Sequence, residues 1–554
     1  MSFRWYIGLF VISLLVVLGI AWLESAPGYM DADYYYASGL RIATDKEWGE
    51  PFIWNYLADP DGLPHPSFSY WMPLAGMMSA LGMFLTGSGD FWSARIIFLL
   101  IAACISPLTA FLAFSFNPKI WAALLAGALG IFTGYYLVYL PTTETFAIFM
   151  LLGGFTFLLI GKIQQDVSKF VPPNENQRSE KRISLGTISS PWVYLAAGCI
   201  AGLMFMTRAD GLVWLLMIGG AIGLQLTKFR LNNLSAEYSL RKSGYWLPFL
   251  LCIGSFLLIS APWMMRNWGG FGTIFAPGSG RALWLTRYDE LYAFPASQLT
   301  FSRWSGQGFW PIVSSRIWAL GLNAVSTLAV QGGIFLLPFS VAGMWIWRKD
   351  WRVQLGAAGW LVVFLAMTLI FPYQGARGGF FHAGAGFQTL IWALVPVGLA
   401  AFADWGRRKR SWSPDSAVIK FGIGIIGLMV LVTGFLSWQR LTGASGSVEA
   451  WGAKAKSYSL VEDHLAASDV PLDQVLMVNN PPGYYAKTGR PAIVVPDGGM
   501  KAMFGSAEKY QANYLVVDEN YPHGLEVLFR EPQDYPGLRY EASIAGMHIY
   551  RIEP

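Results

Sequence analysis

The chain has 554 residues, 54% of them hydrophobic and only 13% charged, with a formal net charge of +5. With a mean hydropathy of +0.42, this excludes a soluble globular domain of average make-up and places the chain among polytopic membrane proteins. No basic stripe with interleaved aromatics points to a nucleic-acid partner. Cys104, Cys199 and Cys252 all lie in apolar runs, where thiols behave as small hydrophobes, so neither a disulfide framework nor a zinc site follows.

From the N-terminus, Trp5 to Leu23 is an uncharged run about long enough to span a hydrocarbon core of roughly 30 Å. It lacks a convincing cleavage site and reads as a retained signal anchor. The stretch "GYMDADYYYASGL", residues 28–40, follows and places Asp31 and Asp33 at the mouth of that helix. Tyr34, Tyr35 and Tyr36 read as part of an interfacial aromatic belt. Further membrane helices are expected near 71–86, 93–114, 143–161, 191–207, 211–227, 245–265, 330–347, 354–371, 387–402 and 420–438.

Loops rich in Lys and Arg at 162–190, 228–244, 348–352 and 403–420 set the orientation, because such short loops stay in the cytoplasm. The N-terminus then lies inside. The first loop (24–70), "TRADG", the segment 266–328, "FPYQGARGGFFHAG" and everything after 439 lie outside. Parity demands one net crossing from 118 to 161. The reading adopted lets 143–161 cross and makes 118–139 a non-crossing pair at the outer surface, which keeps Glu144 outside; the alternative path leaves Glu144 cytoplasmic. The run "PPNENQRSEKR" (172–182) reads as a solvated linker, and the one glycosylation match, Asn233 to Ser235, falls in a cytoplasmic loop.

After Trp438 the character changes. An amphipathic stretch at 449–467 precedes the short apolar runs "VLMVNN", "AIVVP" and "NYLVVDE". These suggest a small α/β domain of roughly 100 residues. The expected architecture is an α-helical membrane bundle (1–438) of roughly 11 to 13 spans with an extracytoplasmic α/β domain (439–554).

Polar residues outside but near the membrane are the candidate site, since ionisable groups at such depth are costly and usually functional. They are Asp31, Asp33, Asp59, Asp61 and His65 in the first loop, Glu144 in the second, Arg208 and Asp210 in the third, then Arg266 with Asn267, and Arg377 with His382. Plain readings compete: Asp59 and Asp61 as turn formers, Arg208 as the partner of Asp210, Arg208 and Arg266 as snorkelling cations, and His65 as a backbone-bonded loop histidine. Arg377 and His382 are flanked by glycines that allow close backbone approach. Acids facing guanidiniums across an outer cavity suit a phosphate-bearing lipid and a hydroxyl to be deprotonated.

The order of "MDADYYYASGLRIA", "HPSFSYWMPLAGMMSAL", "SARIIFLL", "PTTETFAIFMLL", "GLMFMTRADGL" and "APWMMRNWGGFG" resembles the integral-membrane GT-C glycosyltransferases. The nearest branch is the prokaryotic relatives of protein O-mannosyltransferases and aminoarabinose transferases, with oligosaccharyltransferases more distant. The resemblance implies an inverting transfer of a sugar from a polyprenyl phosphate donor to an extracytoplasmic acceptor, by a multi-pass enzyme of the plasma membrane. By the same resemblance Asp31 matches the catalytic acid of the first loop and Glu144 the acidic position of the second. Asp33 would support Asp31 by hydrogen bonding or through a shared metal. Arg208, Arg266, Arg377 and His382 would hold the donor phosphate, and His65 and Tyr70 would contact substrate. Ala32 stands where the mannosyltransferases have the second acid of an Asp-Glu pair, and Asp31-x-Asp33 is closer to the oligosaccharyltransferases, which hold a divalent metal. No "WWDYG"-type peptide motif is present. Metal dependence stays open: a divalent ion such as Mg or Mn, or none if the donor is a monophosphate lipid. A transporter and a noncatalytic envelope-assembly scaffold are the rival classes.

Overall fold

The computed structural model describes residues 1–168, 190–232, 246–446 and 449–553, so the expected linker 172–182 and the match Asn233 to Ser235 lie outside the described residues. Among the described residues nine helices are long and apolar enough to cross a membrane, the first Phe3–Leu23 and the last Pro414–Thr442, and shorter apolar helices complete the bundle. The first nine helices in chain order are α1 (Phe3–Leu23), α2 (Met30–Thr44), α3 (Leu74–Thr86), α4 (Phe91–Phe116), α5 (Ile120–Leu129), α6 (Thr145–Ser168), α7 (Pro191–Thr207), α8 (Leu212–Asn232) and α9 (Leu247–Phe271).

Two expectations about the path of the chain are corrected. α3 does not cross the bundle. Its N-terminal turn packs against the first loop, where a Cβ on Gly76 would meet Phe68. Just past its other end, the Gly89 carbonyl accepts a hydrogen bond from Tyr36 of α2 at 2.9 Å. With 13 residues it is about 20 Å long, and it lies along the end of the bundle that carries Asp31. α4 then leaves from that same end. Asp90 caps it by accepting from the Ser93 amide at 2.8 Å, and Arg95 donates to the Ala21 carbonyl at the end of α1 at 2.7 Å. At the far end of α4, Phe116 packs on Trp347 and Ser115 accepts from Arg352 of the 348–352 loop at 2.6 Å.

The segment 118–143 therefore returns through the bundle instead of forming a non-crossing pair at its surface. It does so as a broken helix: α5, then a turn through Gly134 at φ +63°, then a 3-10 stretch Gly134–Tyr139 that reaches Phe381. Non-helical backbone is tolerated at such depth only when protein covers it, and Leu129, Ile131, Tyr136 and Leu137 are all buried. The Gly134 amide, freed by the break, donates to Thr433 at 3.0 Å. The two corrections cancel in the crossing count, so Glu144 stays on the side of Asp31.

Tyr34, Tyr35 and Tyr36 form no interfacial belt. Tyr34 and Tyr35 are buried, and Tyr34 is surrounded by Phe52, Trp54, Phe68 and Trp71 at ring distances of 4.9 to 6.2 Å. These rings make the first loop a packed unit rather than a strap.

The same loop enters the C-terminal sheet. β1 (Gly49–Glu50) pairs with β3 (His65–Pro66), while β2 (Phe52–Ile53) joins a six-stranded sheet with β4 (Val475–Val478), β5 (Ala492–Val494), β6 (Ala512–Val517), β7 (Leu538–Ile544) and β8 (Met547–Ile552). The order is β2-β5-β4-β6-β8-β7. The first four are parallel, with Phe52 opposite Ala492 and Ile53 opposite Ile493, and the last two are antiparallel. The expected runs "VLMVNN", "AIVVP" and "NYLVVDE" are β4, β5 and β6; the contribution from the first loop has no local signal. Tyr56 donates to the Val494 carbonyl at 2.5 Å and Lys509 pairs with Asp59 at 2.9 Å, which adds to the join.

In a cysteine-free background, Ser88→Cys and Lys119→Cys test this path, both positions being exposed. Membrane-impermeant maleimide should reach one from outside intact cells and the other only after permeabilisation. Labelling of both from the same side would restore a surface position for 118–139.

Candidate active site

Asp31 and Asp33 occupy the first turn of α2, where unpaired amides and the helix dipole favour carboxylates. Two residues apart on a helix, they point to opposite sides. Asp31 faces the bundle, and Asp33 faces the C-terminal domain, accepting from Asn480 Nδ2 at 2.8 Å. Ala32, between them, accepts from Thr143 at 2.7 Å, which brings the turn before α6 against α2 and delivers Glu144.

His382 comes from the short helix Phe380–Ala385. Its position depends on the preceding glycine run, where the helix opens into a π-type turn over Gly375–Gly379 and Gly378 takes φ +128°, a conformation side chains resist. The imidazole stacks on Phe146 at 4.2 Å. Its Nε2 lies 3.5 Å from Asp31 Oδ2 and its Nδ1 3.1 Å from Glu144 Oε1. Glu144 is buried and accepts from Thr145 at 2.6 Å. Asp31 keeps 32% of its side-chain surface. The structure thus joins three of the expected residues, from three distant segments.

Burial, then the neighbouring Glu144 charge, push the Asp31 carboxyl up to about 6 against the pull of His382 and Arg208. Burial raises Asp33 to about 7, with Asn480 opposing. Burial also acts on Glu144, but His382 beside it outweighs this and holds its pKa below the ordinary value. Glu144 Oε2 and His382 Nδ1 are buried yet complete no hydrogen bond among the described residues. One ligand atom from each of Asp31, Glu144 and His382 falls within 4.8 Å of the others. This donor set of two carboxylates and one imidazole would hold a single divalent cation, and the imidazole suits Mn2+ better than Mg2+.

The remaining expected residues separate. Arg208 is engaged by Asp210 through Nε and Nη2, each at 3.0 Å, and by the Gly379 carbonyl. Arg266 stacks over Trp263 and Phe271 and donates to Trp48 and Ser67, which ties the first loop to α9 away from the cluster. His65 is buried, with its ring nitrogens on the Phe52 and Pro66 carbonyls, so it is spent inside the loop and corrects the expected substrate contact. Tyr70 packs edge-on against Trp54, and burial pushes its hydroxyl pKa well above the ordinary value. Arg377 has no ion pair or hydrogen bond among the described residues, only the Tyr288 ring at 5.2 Å. It lines two cavities, of about 570 and 660 Å3, together with Tyr288 and Asp289.

Sequence reasoning missed Asn480 and Tyr288. Asn480 ends the expected run "VLMVNN", two residues past β4, at the carboxyl end where α/β sheets place ligand contacts; that position is the signal that was available. Nothing local marks Tyr288.

No protein-family model and no curated protein sequence matches the chain. Solved structures do match in fold. ArnT from Cupriavidus metallidurans in the apo state aligns over 99% of this chain and 98% of its own at 12% identity and TM-score 0.54. The same protein bound to undecaprenyl phosphate aligns over 100% and 98% at 11% identity and TM-score 0.53. The oligosaccharyltransferase AglB from Archaeoglobus fulgidus, in complex with an inhibitory peptide and a dolichol-phosphate, aligns over 94% of this chain and 70% of its own at 14% identity and TM-score 0.50. The chain shares the fold of ArnT and AglB, with the helical bundle and the small C-terminal sheet in one arrangement.

The metal-binding capacity of the cluster is checked by titrating purified, chelator-treated protein with Mn2+ and following the loss of free-ion paramagnetic resonance. Wild type should take up one ion, and Glu144→Gln and His382→Ala should each weaken uptake by at least about tenfold. No uptake by wild type would leave His382 as a bridge between the two carboxylates without a metal.

Proposed function

We propose that this protein transfers a sugar from a polyprenyl phosphate donor to a hydroxyl of an acceptor, with inversion at the anomeric carbon. The observation that carries the reading is the placement of the Asp31 carboxylate beside Glu144 and His382, on the face where Arg377 stands unpaired between two cavities. The fold supports it, since ArnT and AglB are seen with undecaprenyl phosphate and dolichol-phosphate. The orientation that puts this face and the C-terminal domain outside the cytoplasm belongs to the same proposal and rests on the basic loops.

In the proposed step Asp31 takes the proton of the acceptor hydroxyl as that oxygen bonds to the anomeric carbon. The bond from that carbon to the phosphate oxygen breaks, and its electron pair leaves with the polyprenyl phosphate. A single displacement from the face opposite the leaving group inverts the centre. Arg377 holds the carrier phosphate and neutralises charge growing on it, the role for which a planar fork of donors is suited. The cavity of about 570 Å3 is lined by Pro311, Ser314, Ser315 and Trp318, on a helix whose neighbouring Phe309, Trp310 and Ile317 are exposed. Such a helix face gives a prenyl chain lateral access from lipid to Arg377. Glu144 and His382 set the orientation and charge of Asp31, and any bound cation would add charge stabilisation.

The test is release of polyprenyl phosphate from a radiolabelled lipid-linked sugar by purified protein with membrane extract as acceptor source. Asp31→Asn should lower transfer by about two to four orders of magnitude with carrier binding intact. Arg377→Lys should weaken carrier binding, because a point charge does not replace a bidentate fork. Near-normal transfer by well-folded Asp31→Asn would remove it as the base, and unchanged carrier affinity in Arg377→Lys would remove Arg377 from the donor site.

A further inference from the structure

The larger cavity, about 660 Å3, lies between the helix bundle and the C-terminal sheet. Pockets of this size at a join between domains are the usual seats of small ligands. One wall is α2, through Met30 and Asp33 on either side of Asp31; the opposite wall is built from residues that follow the parallel strands, Asn479 and Asn480 after β4 and Asp518, Glu519 and Asn520 after β6. Ligands of open α/β sheets bind at these carboxyl ends. Here a strand end also reaches the turn of α2 that carries Asp31, since Asn480 donates to Asp33 two residues away.

We infer that this cavity is the acceptor subsite and that it is built for a saccharide rather than a peptide. The inference rests on the glycosyltransfer proposed above and adds the chemical class of the acceptor. Side-chain amides that donate and accept, beside carboxylates that accept, suit a ring bearing several hydroxyls. Tyr521, which is half-buried, lines the same space and brings an aromatic ring to the apolar side of such a sugar. The Tyr458 hydroxyl is the most telling group: the residue is 1% exposed and the hydroxyl has no hydrogen-bond partner among the described residues. A buried hydroxyl left unsatisfied is costly, and a ligand hydroxyl in the cavity would satisfy it.

A peptide would be expected to add to a strand edge or lie in an extended groove. The edges of this sheet are β2 and β7, and neither contributes a residue to the cavity wall. The basic groups of the wall are largely committed: Lys454 to Asp518 and Glu449 at 2.7 and 3.4 Å, and Arg440 over the Trp451 ring. Arg377 is the exception, at the boundary with the donor cavity, so an acceptor held against Glu519 and Tyr458 shares its cavity with that guanidinium and borders the first turn of α2, which carries Asp31.

The experiment uses the purified full chain and three soluble probes, chitotriose, maltotriose and mannotriose, with a neutral serine-containing hexapeptide as comparison, each followed by saturation-transfer NMR. Undecaprenyl phosphate binding is measured on the same samples. At least one trisaccharide should bind wild type and the peptide should not. Tyr458→Phe removes a group with no internal partner, so folding should be unaffected while saccharide affinity falls by roughly 2- to 10-fold, the worth of one hydrogen bond. Glu519→Ala should weaken it similarly, and neither change should alter carrier binding. Absence of saccharide binding, binding of the peptide alone, or unchanged affinity in both variants would overturn the assignment. The two readings separate cleanly: a wild-type protein that binds the carrier but no saccharide loses the acceptor assignment alone, whereas one that fails to bind the carrier loses the donor on which glycosyltransfer depends.

Discussion

Two carboxylates and one imidazole stand within hydrogen-bond reach at the end of an apolar bundle, and much of the architecture is arranged around that contact. Bringing Asp31 near Glu144 is unfavourable twice over, through like charge and through loss of water. His382, 3.5 Å from one and 3.1 Å from the other, is the group that makes the arrangement tenable, and it has to be held where no loop motion displaces it. Three devices do this. The first turn of α2 offers Asp31 its amides, Thr143 ties Ala32 to the turn carrying Glu144, and the glycine run before Phe380 lets the chain turn sharply enough to stack His382 on Phe146.

Those devices work only if their supports are rigid, and the first loop supplies one support by being more than a loop. Its aromatic interior, centred on Tyr34, and its strand β2 in the C-terminal sheet make the loop, α2 and the C-terminal domain one body. The Asn480 to Asp33 hydrogen bond is then a link inside that body rather than a contact between mobile parts. A ligand pressing on the strand ends would be felt two residues from Asp31.

The cations show how partner content, not position, decides a role. Arg208, Arg266 and Arg377 all stand at or near the ends of apolar helical segments and look alike in sequence. Arg208 is occupied by Asp210, and Arg266 by two rings and the first loop. Arg377 faces open space. Each guanidinium seeks partners wherever the fold offers them, and of these three Arg377 alone has no ion pair or hydrogen bond among the described residues, which is why the proposed phosphate contact is given to it.

Much was legible in the residues themselves. The membrane class follows from composition, and most helices follow from apolar runs, because a bilayer imposes length and polarity on each span separately. Strands β4, β5 and β6 announce themselves in the same local way. Asp31, Glu144 and His382 stood out as ionisable groups near the membrane surface. What needed tertiary structure was everything set by contact between distant segments: that α3 lies flat while 118–143 returns through the bundle, that Tyr34 sits in a core, that His65 is spent on backbone carbonyls, and that β2 pairs with a strand some 440 positions later. Periodicity reports whether a segment is apolar enough to be buried, not what buries it. A broken helix such as 118–139 is stable in a membrane protein only because neighbours satisfy its backbone, and that condition is a property of the assembled bundle, not of the segment.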